Sequence, residues 1–180
     1  YQYAFMGDVY FRYILGKQNP KIGILNVGEE QIKGTDVLRR AHELLRKSKL
    51  NFVGNVEGRD IFNGKVDVIV CDGYVGNVVL KVAESIAEVF GRLLKKKMKM
   101  NYLTMLGALF SRSAFKAMRR EVDYAEYGGA PLLGVRGNCI ISHGSSNPKA
   151  IKNAIRVAGE FVRCRINEHI IQENQTGDIA

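Results

Sequence analysis

One hundred and eighty residues, 46% of them hydrophobic, suffice for one domain of ordinary size with a core of its own. The formal net charge is +9, and the three cysteines are odd in number and far apart, which argues against a disulfide framework and for a reducing cytoplasm. No signal peptide is visible, and the longest nearly apolar run, Tyr102 to Phe110, has about half of the ~20 residues that a bilayer-spanning helix needs, so the expectation is a soluble protein or one that only touches a membrane.

The chain opens without methionine and inside a helical pattern. Tyr3, Met6, Val9, Tyr10, Tyr13 and Ile14 fall on one face, with Gly16 and Pro20 as stop signals, which predicts a helix and suggests a piece of a longer protein. Residues 22–27 read as a buried strand and 28–34 as its loop. Thr35 then caps a helix with apolar positions at Val37, Leu38, Ala41, Leu44 and Leu45, while His42 falls among charges and is expected at the surface. Residues 51–53 read as a short strand, 54–60 as a polar loop, and Ile61-Phe62 as a helical turn closed by Asn63-Gly64. The β-branched run 66–71 predicts a strand buried on both faces, stopped by Asp72-Gly73. Asn77 opens the next helical pattern at Val79, Val82, Ala83, Ile86 and Phe90.

Between residues 91 and 120 there are nine basic residues and no acidic one. Outside this segment Lys and Arg balance Asp and Glu, so the whole excess of charge belongs to one stretch. It reads as two basic helices joined near Gly107 by an apolar tip, a projecting hairpin. Residues 124–134 are a turn-rich connection, 138–142 a last strand and 143–147 its loop. Asn147-Pro148 is an N-cap followed by proline at the first helical position, starting a helix with Ile151, Ala154, Ile155, Ala158 and Val162. From about residue 167 the chain is polar and is expected to fray. Strands alternating with helices predict an α/β fold with a parallel sheet covered on both faces, in a single domain over residues 1–180.

In such a sheet the strand-to-helix loops open on one edge, so the loops at 28–34, 54–60, 72–77 and 143–147 are expected to converge there. They offer helix N-termini, a cation (Lys33), the donors Asn77, Ser145, Ser146 and Asn147, one histidine (His143) and several carboxylates. That equipment suits a phosphate and a carbonyl better than a metal. Each residue also has a plainer reading: Asn77 and Asn147 as helix caps, Asp72 as a turn residue, Lys33 as a solvated charge, His143 as a local hydrogen bonder. Spacing alone leaves these open. No phosphate-loop, dinucleotide or nucleophile-elbow motif is present, and Cys139 with His143 lacks the further ligands of a zinc site.

Five blocks narrow the choice: Leu25-Asn-Val-Gly-Glu-Glu-Gln-Ile-Lys-Gly34, Leu50-Asn-Phe-Val-Gly-Asn-Val-Glu-Gly-Arg-Asp60, Val70-Cys-Asp-Gly-Tyr-Val-Gly-Asn-Val-Val-Leu-Lys81, Glu126-Tyr-Gly-Gly-Ala-Pro-Leu-Leu-Gly134 and Ser142-His-Gly-Ser-Ser-Asn147. In this order they resemble the signature blocks of the bacterial phosphate acyltransferase family, over about its C-terminal half. The resemblance implies a three-layer α/β/α sandwich like that of phosphotransacetylases and isopropylmalate-type dehydrogenases. It implies a homodimer without cofactor or metal, in the cytoplasm and peripherally bound to the inner face of the membrane, making acyl phosphate from acyl-(acyl carrier protein) and inorganic phosphate. On this likeness Lys33 and Asn77 are the expected catalytic residues, and Asp72, Gly73, Gly76, His143, Gly144 and Ser145 the expected phosphate and substrate contacts. Lys95, Lys96, Lys97, Lys99, Arg112 and Lys116, with the apolar Leu103, Leu106, Leu109 and Phe110, are expected to meet acidic carrier protein or anionic lipid. Coenzyme A-dependent phosphate acetyl- and butyryltransferases are the enzyme alternative. A nucleic-acid-binding module, suggested by charge alone, is disfavoured because the cations bracket aliphatic residues and no aromatic stacking platform accompanies them.

Overall fold

The computed structural model describes residues 1–121, 126 and 128–176. Tyr124, Ala125 and Tyr127 of the expected turn-rich connection lie outside these residues, as does the tail from 177 on. The chain forms two compact units, one comprising Tyr1–Cys71, Ala130–Ile141 and the residues from Ile155 on, the other Asp72–Gly129 and Ser142–Ala154.

The first unit is built on a parallel three-stranded sheet in the order β2-β1-β3, with β1 Ile22–Leu25, β2 Phe52–Val56 and β3 Val68–Val70. Its α/β character agrees with the sequence reading. Helix α1 (Gln2–Ile14) packs on β3, so closely that a Cβ on Gly7 would lie 2.5 Å from Val68 Cγ1. Helix α2 (Asp36–Arg46) packs on β2, starting at Thr35, whose hydroxyl accepts the Leu38 N–H. Ala4, Ile22, Ile24 and Leu45 form the core between these elements. Asp67 fixes the entry to the sheet, since its carboxylate takes the Lys21 N–H at 2.8 Å and the Lys17 ammonium at 2.6 Å.

Several expectations change here. The strand expected at 66–71 is shorter, half-buried rather than buried, and lies at the sheet edge. The strand expected at 51–53 continues to Val56: a register shift against Ile22/Gly23 places a bulge ahead of Gly54, which takes a positive φ of 101°. The helical turn is a 3₁₀ turn at Gly58–Ile61, opened by Glu57, whose N–H donates to Asp60 Oδ2 at 2.9 Å. His42 is buried against Phe52, ring edge to ring face at 5.0 Å, because its helix turns that position toward β2 and the neighbouring charges away.

Helices α6 (Pro148–Arg163) and α7 (Ile166–Thr176) follow the short antiparallel pair β4 (Ala130–Pro131) and β5 (Ile140–Ile141). This pair is a separate two-stranded sheet and replaces the expected last strand of the parallel one. The expected fraying after 167 is also corrected: Ile166 and Ile170 are buried with Val9 and Phe161 in a second core cluster, which fixes α7 against α1. An ion-pair chain reinforces it, Arg12 reaching Asp8 at 2.6 Å and Glu173 at 2.9 Å.

In the second unit α3 runs over Gly73–Met98, α4 over Tyr102–Phe110 and α5 over Arg112–Glu121, so the basic segment holds three helices rather than two. Gly107 lies inside α4. The breaks fall at 99–101 and at Ser111, because Asn101 accepts the Thr104 N–H and Thr104 answers with its hydroxyl, a capping box worth about 1 kcal/mol that starts a new helix. A single interior glycine costs only about that much and is carried. No residue of α3 or α4 is buried. Asn147 caps α6 as expected, taking the Ala150 N–H at 2.9 Å.

Candidate active site

In the first unit, two of the four loops expected to share a rim do meet. The loop after β1 carries Glu29, Glu30 and Lys33. The turn after β2 carries Arg59, Asp60 and, beyond it, Lys65. Lys65 bridges them with its ammonium 2.6 Å from Glu29 and 3.7 Å from Asp60, and Arg59 reaches Glu57 at 3.0 Å. The Asp60 carboxyl is held below its ordinary range, first by the Glu57 N–H and then by the Asn63 amide, so it stays ionised. Lys65 is pushed up by its bond to Glu29.

Lys33 itself is exposed, yet its peptide is fixed on both sides. Its N–H donates to the Glu30 carbonyl at 3.1 Å, and its carbonyl accepts from Asn26 Nδ2 at 3.0 Å. Asn26 Oδ1 takes the Val27 N–H at 2.8 Å, and from the adjacent strand Asn55 Nδ2 donates to the same Glu30 carbonyl at 2.9 Å. Both asparagines are buried. Gly34 follows with φ of +86°, and a Cβ there would stand 2.5 Å from Asn26 Oδ1. Sequence reasoning passed over Asn26 and Asn55; the available signal was a carboxamide at the end of each apolar strand run, where a wholly structural core would carry another aliphatic.

The second unit holds the other candidates. Asp72, expected as a turn residue or a phosphate contact, is the N-cap of α3, its carboxylate accepting the Val75 N–H at 2.8 Å. The helix therefore begins at Gly73, four residues earlier than expected, and Asn77 sits exposed within its second turn rather than at the N-terminus. The Asp-Gly pair, read as a strand stop, is a helix start. Gly76 donates its N–H to the Asp72 carbonyl at 2.9 Å, so it too is already engaged by the helix. Gly73 and Gly144 have open space where a Cβ would go. In the loop after β5, His143 Nδ1 lies 2.6 Å from Ser145 Oγ and accepts the Ser145 N–H at 3.1 Å. Accepting from that amide makes Nε2 the protonated nitrogen of the neutral ring. The nearby Glu84 carboxyl is lowered mainly by its hydrogen bond to Lys81, with a smaller contribution from His143. Lys33 belongs to one unit and Asn77, Asp72, Gly73, Gly76, His143, Gly144 and Ser145 to the other.

Lys95, Lys96 and Lys97 occupy the last turn of α3 and Lys99 its C-cap, where cations favour the negative helix end. Leu103, Leu106, Leu109 and Phe110 are exposed on α4, as are Arg112 and Lys116 on α5. Among the described residues no three His, Cys, Asp or Glu side chains cluster as a metal would require, and no helix is long and apolar enough to cross a membrane.

The sequence model of a family described as fatty acid synthesis protein matches residues 1–169. The chain is 53% identical over 172 residues to a phosphate acyltransferase of Pelobacter propionicus, covering 96% of this chain and 50% of that protein. It is 53% identical over 172 residues to the phosphate acyltransferase of Citrifermentans bemidjiense (96% and 49%) and 50% identical over 175 residues to that of Geobacter sulfurreducens (97% and 51%). The chain thus spans about half the length of these curated relatives.

Proposed function

The chain belongs to the fatty acid synthesis protein family, and from that membership we propose that it supplies catalytic loops of an acyltransferase that makes acyl phosphate from an acyl thioester and inorganic phosphate. The observation that carries this reading is Lys33, an exposed cation on a peptide fixed at the carboxyl edge of a parallel sheet, within the stretch that the family's model matches. A phosphate oxygen attacks the thioester carbonyl, the tetrahedral oxyanion collapses, the C–O bond remains and the C–S bond breaks. The thiolate leaves and takes a proton from solvent. No protein nucleophile is needed; the protein must hold a polyanion against the carbonyl and stabilise the charge that develops. In the first unit Lys33 is the proposed cation for phosphate; in the second unit the Asn77 amide and the Nε2 proton of His143 are the proposed donors to an oxyanion.

The acyl group comes from acyl carrier protein, an acidic partner that the lysines at the end of α3 and the cations of α5 attract. The exposed apolar residues of α4 enter anionic lipid at the inner face of the cytoplasmic membrane, and the enzyme works as a homodimer. Coenzyme A thioesters are the competing donor. In the intact enzyme, Lys33→Ala and Asn77→Ala should each lower acyl-phosphate formation from acyl-(acyl carrier protein) by ~10² to 10³, followed by ³¹P NMR or hydroxylamine trapping. Near-normal turnover in both variants would remove the assignment, and faster turnover of the coenzyme A thioester would transfer the donor role.

A further inference from the structure

Lys33 is solvent-exposed, whereas the groups that hold it are not. Its N–H ends on the Glu30 carbonyl, which also receives Asn55 Nδ2, and its carbonyl ends on Asn26 Nδ2. Asn26 follows β1 and Asn55 lies within β2, and the ladder joins them where the Asn26 N–H meets the Val56 carbonyl at 2.8 Å. The peptide of one exposed lysine is thus tied directly to the buried Asn26 amide at the end of β1 and, through the Glu30 carbonyl, to the buried Asn55 amide of β2.

The second observation is a cost. Asn55 is 5% exposed, and its buried Oδ1 has no hydrogen-bond partner among the described residues. An apolar side chain of the same shape would suit this buried position better, since it would leave no buried oxygen unsatisfied. What Asn55 provides in exchange is one donated bond to the Glu30 carbonyl, on which the Lys33 N–H also rests. Gly28 and Gly34 complete the cradle: a Cβ on Gly28 would lie 3.2 Å from Lys33 Cγ, and one on Gly34 would strike the Asn26 amide. A surface lysine with no task needs none of this.

We propose that Asn26 and Asn55 are positioning residues for acyl transfer, acting through Lys33: by fixing its peptide to β1 and β2 they set where the ammonium meets the phosphate. This rests on the acyltransferase reading. It assigns the two asparagines no contact with substrate.

The test is a set of double-mutant cycles in the intact enzyme. Asn55→Leu keeps the shape and removes both the donor and the unsatisfied oxygen, so its melting temperature should equal or exceed that of the parent while kcat/KM for phosphate falls about tenfold to a hundredfold, the scale expected when a catalytic group is displaced by an ångström. Asn26→Ala should do the same at some loss of stability, and Asn55→Ala is the second variant should the leucine fail to fold. Combined with Lys33→Ala, each asparagine change should cost nothing further, because it acts only through that lysine. A purely structural role predicts the same fold-loss in both backgrounds, and that result, or unchanged kinetics in the single variants, overturns the proposal. If Lys33→Ala alone is neutral, the acyltransferase assignment of the lysine falls first, and the positioning role falls with it. Loss in Lys33→Ala with neutral asparagine variants sinks the positioning role alone.

Discussion

Gly34 joins backbone conformation to the site, and Gly34→Ala is the most informative single change in the first unit. Two costs add there. A non-glycine residue at φ of +86° pays about 1–2 kcal/mol for the left-handed region. The new Cβ would also stand 2.5 Å from Asn26 Oδ1 and 2.8 Å from Nδ2, so the amide must move and give up its bonds to Val27 N–H and the Lys33 carbonyl. At about 1 kcal/mol per bond the total reaches about 3–4 kcal/mol. For a chain of this size that is a fall in melting temperature of roughly 6–16 °C. Two controls separate the contributions. Gly64→Ala meets open space at φ of +73° and should show the conformational cost alone, about 1–2 kcal/mol. Gly28→Ala meets the mobile end of Glu30 at 2.6 Å without a positive φ, and should cost less than about 1 kcal/mol. Urea and thermal unfolding read all three. If Gly34→Ala is no worse than Gly64→Ala, the Asn26 amide is not holding the loop, and the account of Lys33 loses its base.

His42 should make stability depend on pH. Its folded-state pKa is lowered, first by burial and then by Arg46, with Glu43 opposing, so the unfolded chain binds a proton that the folded chain refuses. The contribution is therefore complete above the unfolded value near 6.5 and declines as pH falls below it. His42→Leu should flatten that part of the urea-midpoint profile, and an unchanged slope between about pH 5 and 7 would assign the dependence elsewhere. In the second unit, Leu106→Asp should reduce sedimentation with anionic liposomes while leaving thermal unfolding unchanged, because Leu106 is exposed and supports no core; undiminished sedimentation would argue against insertion of α4.

Much of the fold was legible because periodicity reports burial directly. Residues 3–14, Thr35 with its following helix, and Asn147-Pro148 all became the helices their spacing and caps predicted, since a single strong local signal decided each. Where two signals competed, the local one misled. Asp72-Gly73 carries both turn chemistry and helix-cap chemistry, and the poor helix formers that follow it, up to Val79, favour the turn, so local sequence hides that the cap wins. Gly54 reads as loop because glycine is rare in strands, whereas a bulge needs it. His42 looks solvated because its chain neighbours are charged, yet a helix turns residues four apart to the same side and residues one apart to different sides. Asn26 and Asn55 were least legible, because an amide bonded to a distant carbonyl leaves no periodic trace in the chain.

The placement of Asp72 bears on the role proposed for Asn77. A helix N-terminus favours an anion by about 0.3–1 kcal/mol. The Asp72 carboxylate already takes that position on α3 and one of its free N–H groups. A phosphate brought within about 4 Å of it would meet a repulsion of roughly 1 kcal/mol in water and about 4 kcal/mol at the dielectric of a protein surface. The N-terminus of α3 is therefore a poor seat for the attacking polyanion. A carbonyl oxygen, which is neutral until the transition state and then carries only part of a charge, suits the Asn77 amide better. Asn77→Ala should therefore appear chiefly in kcat, with KM for phosphate little changed.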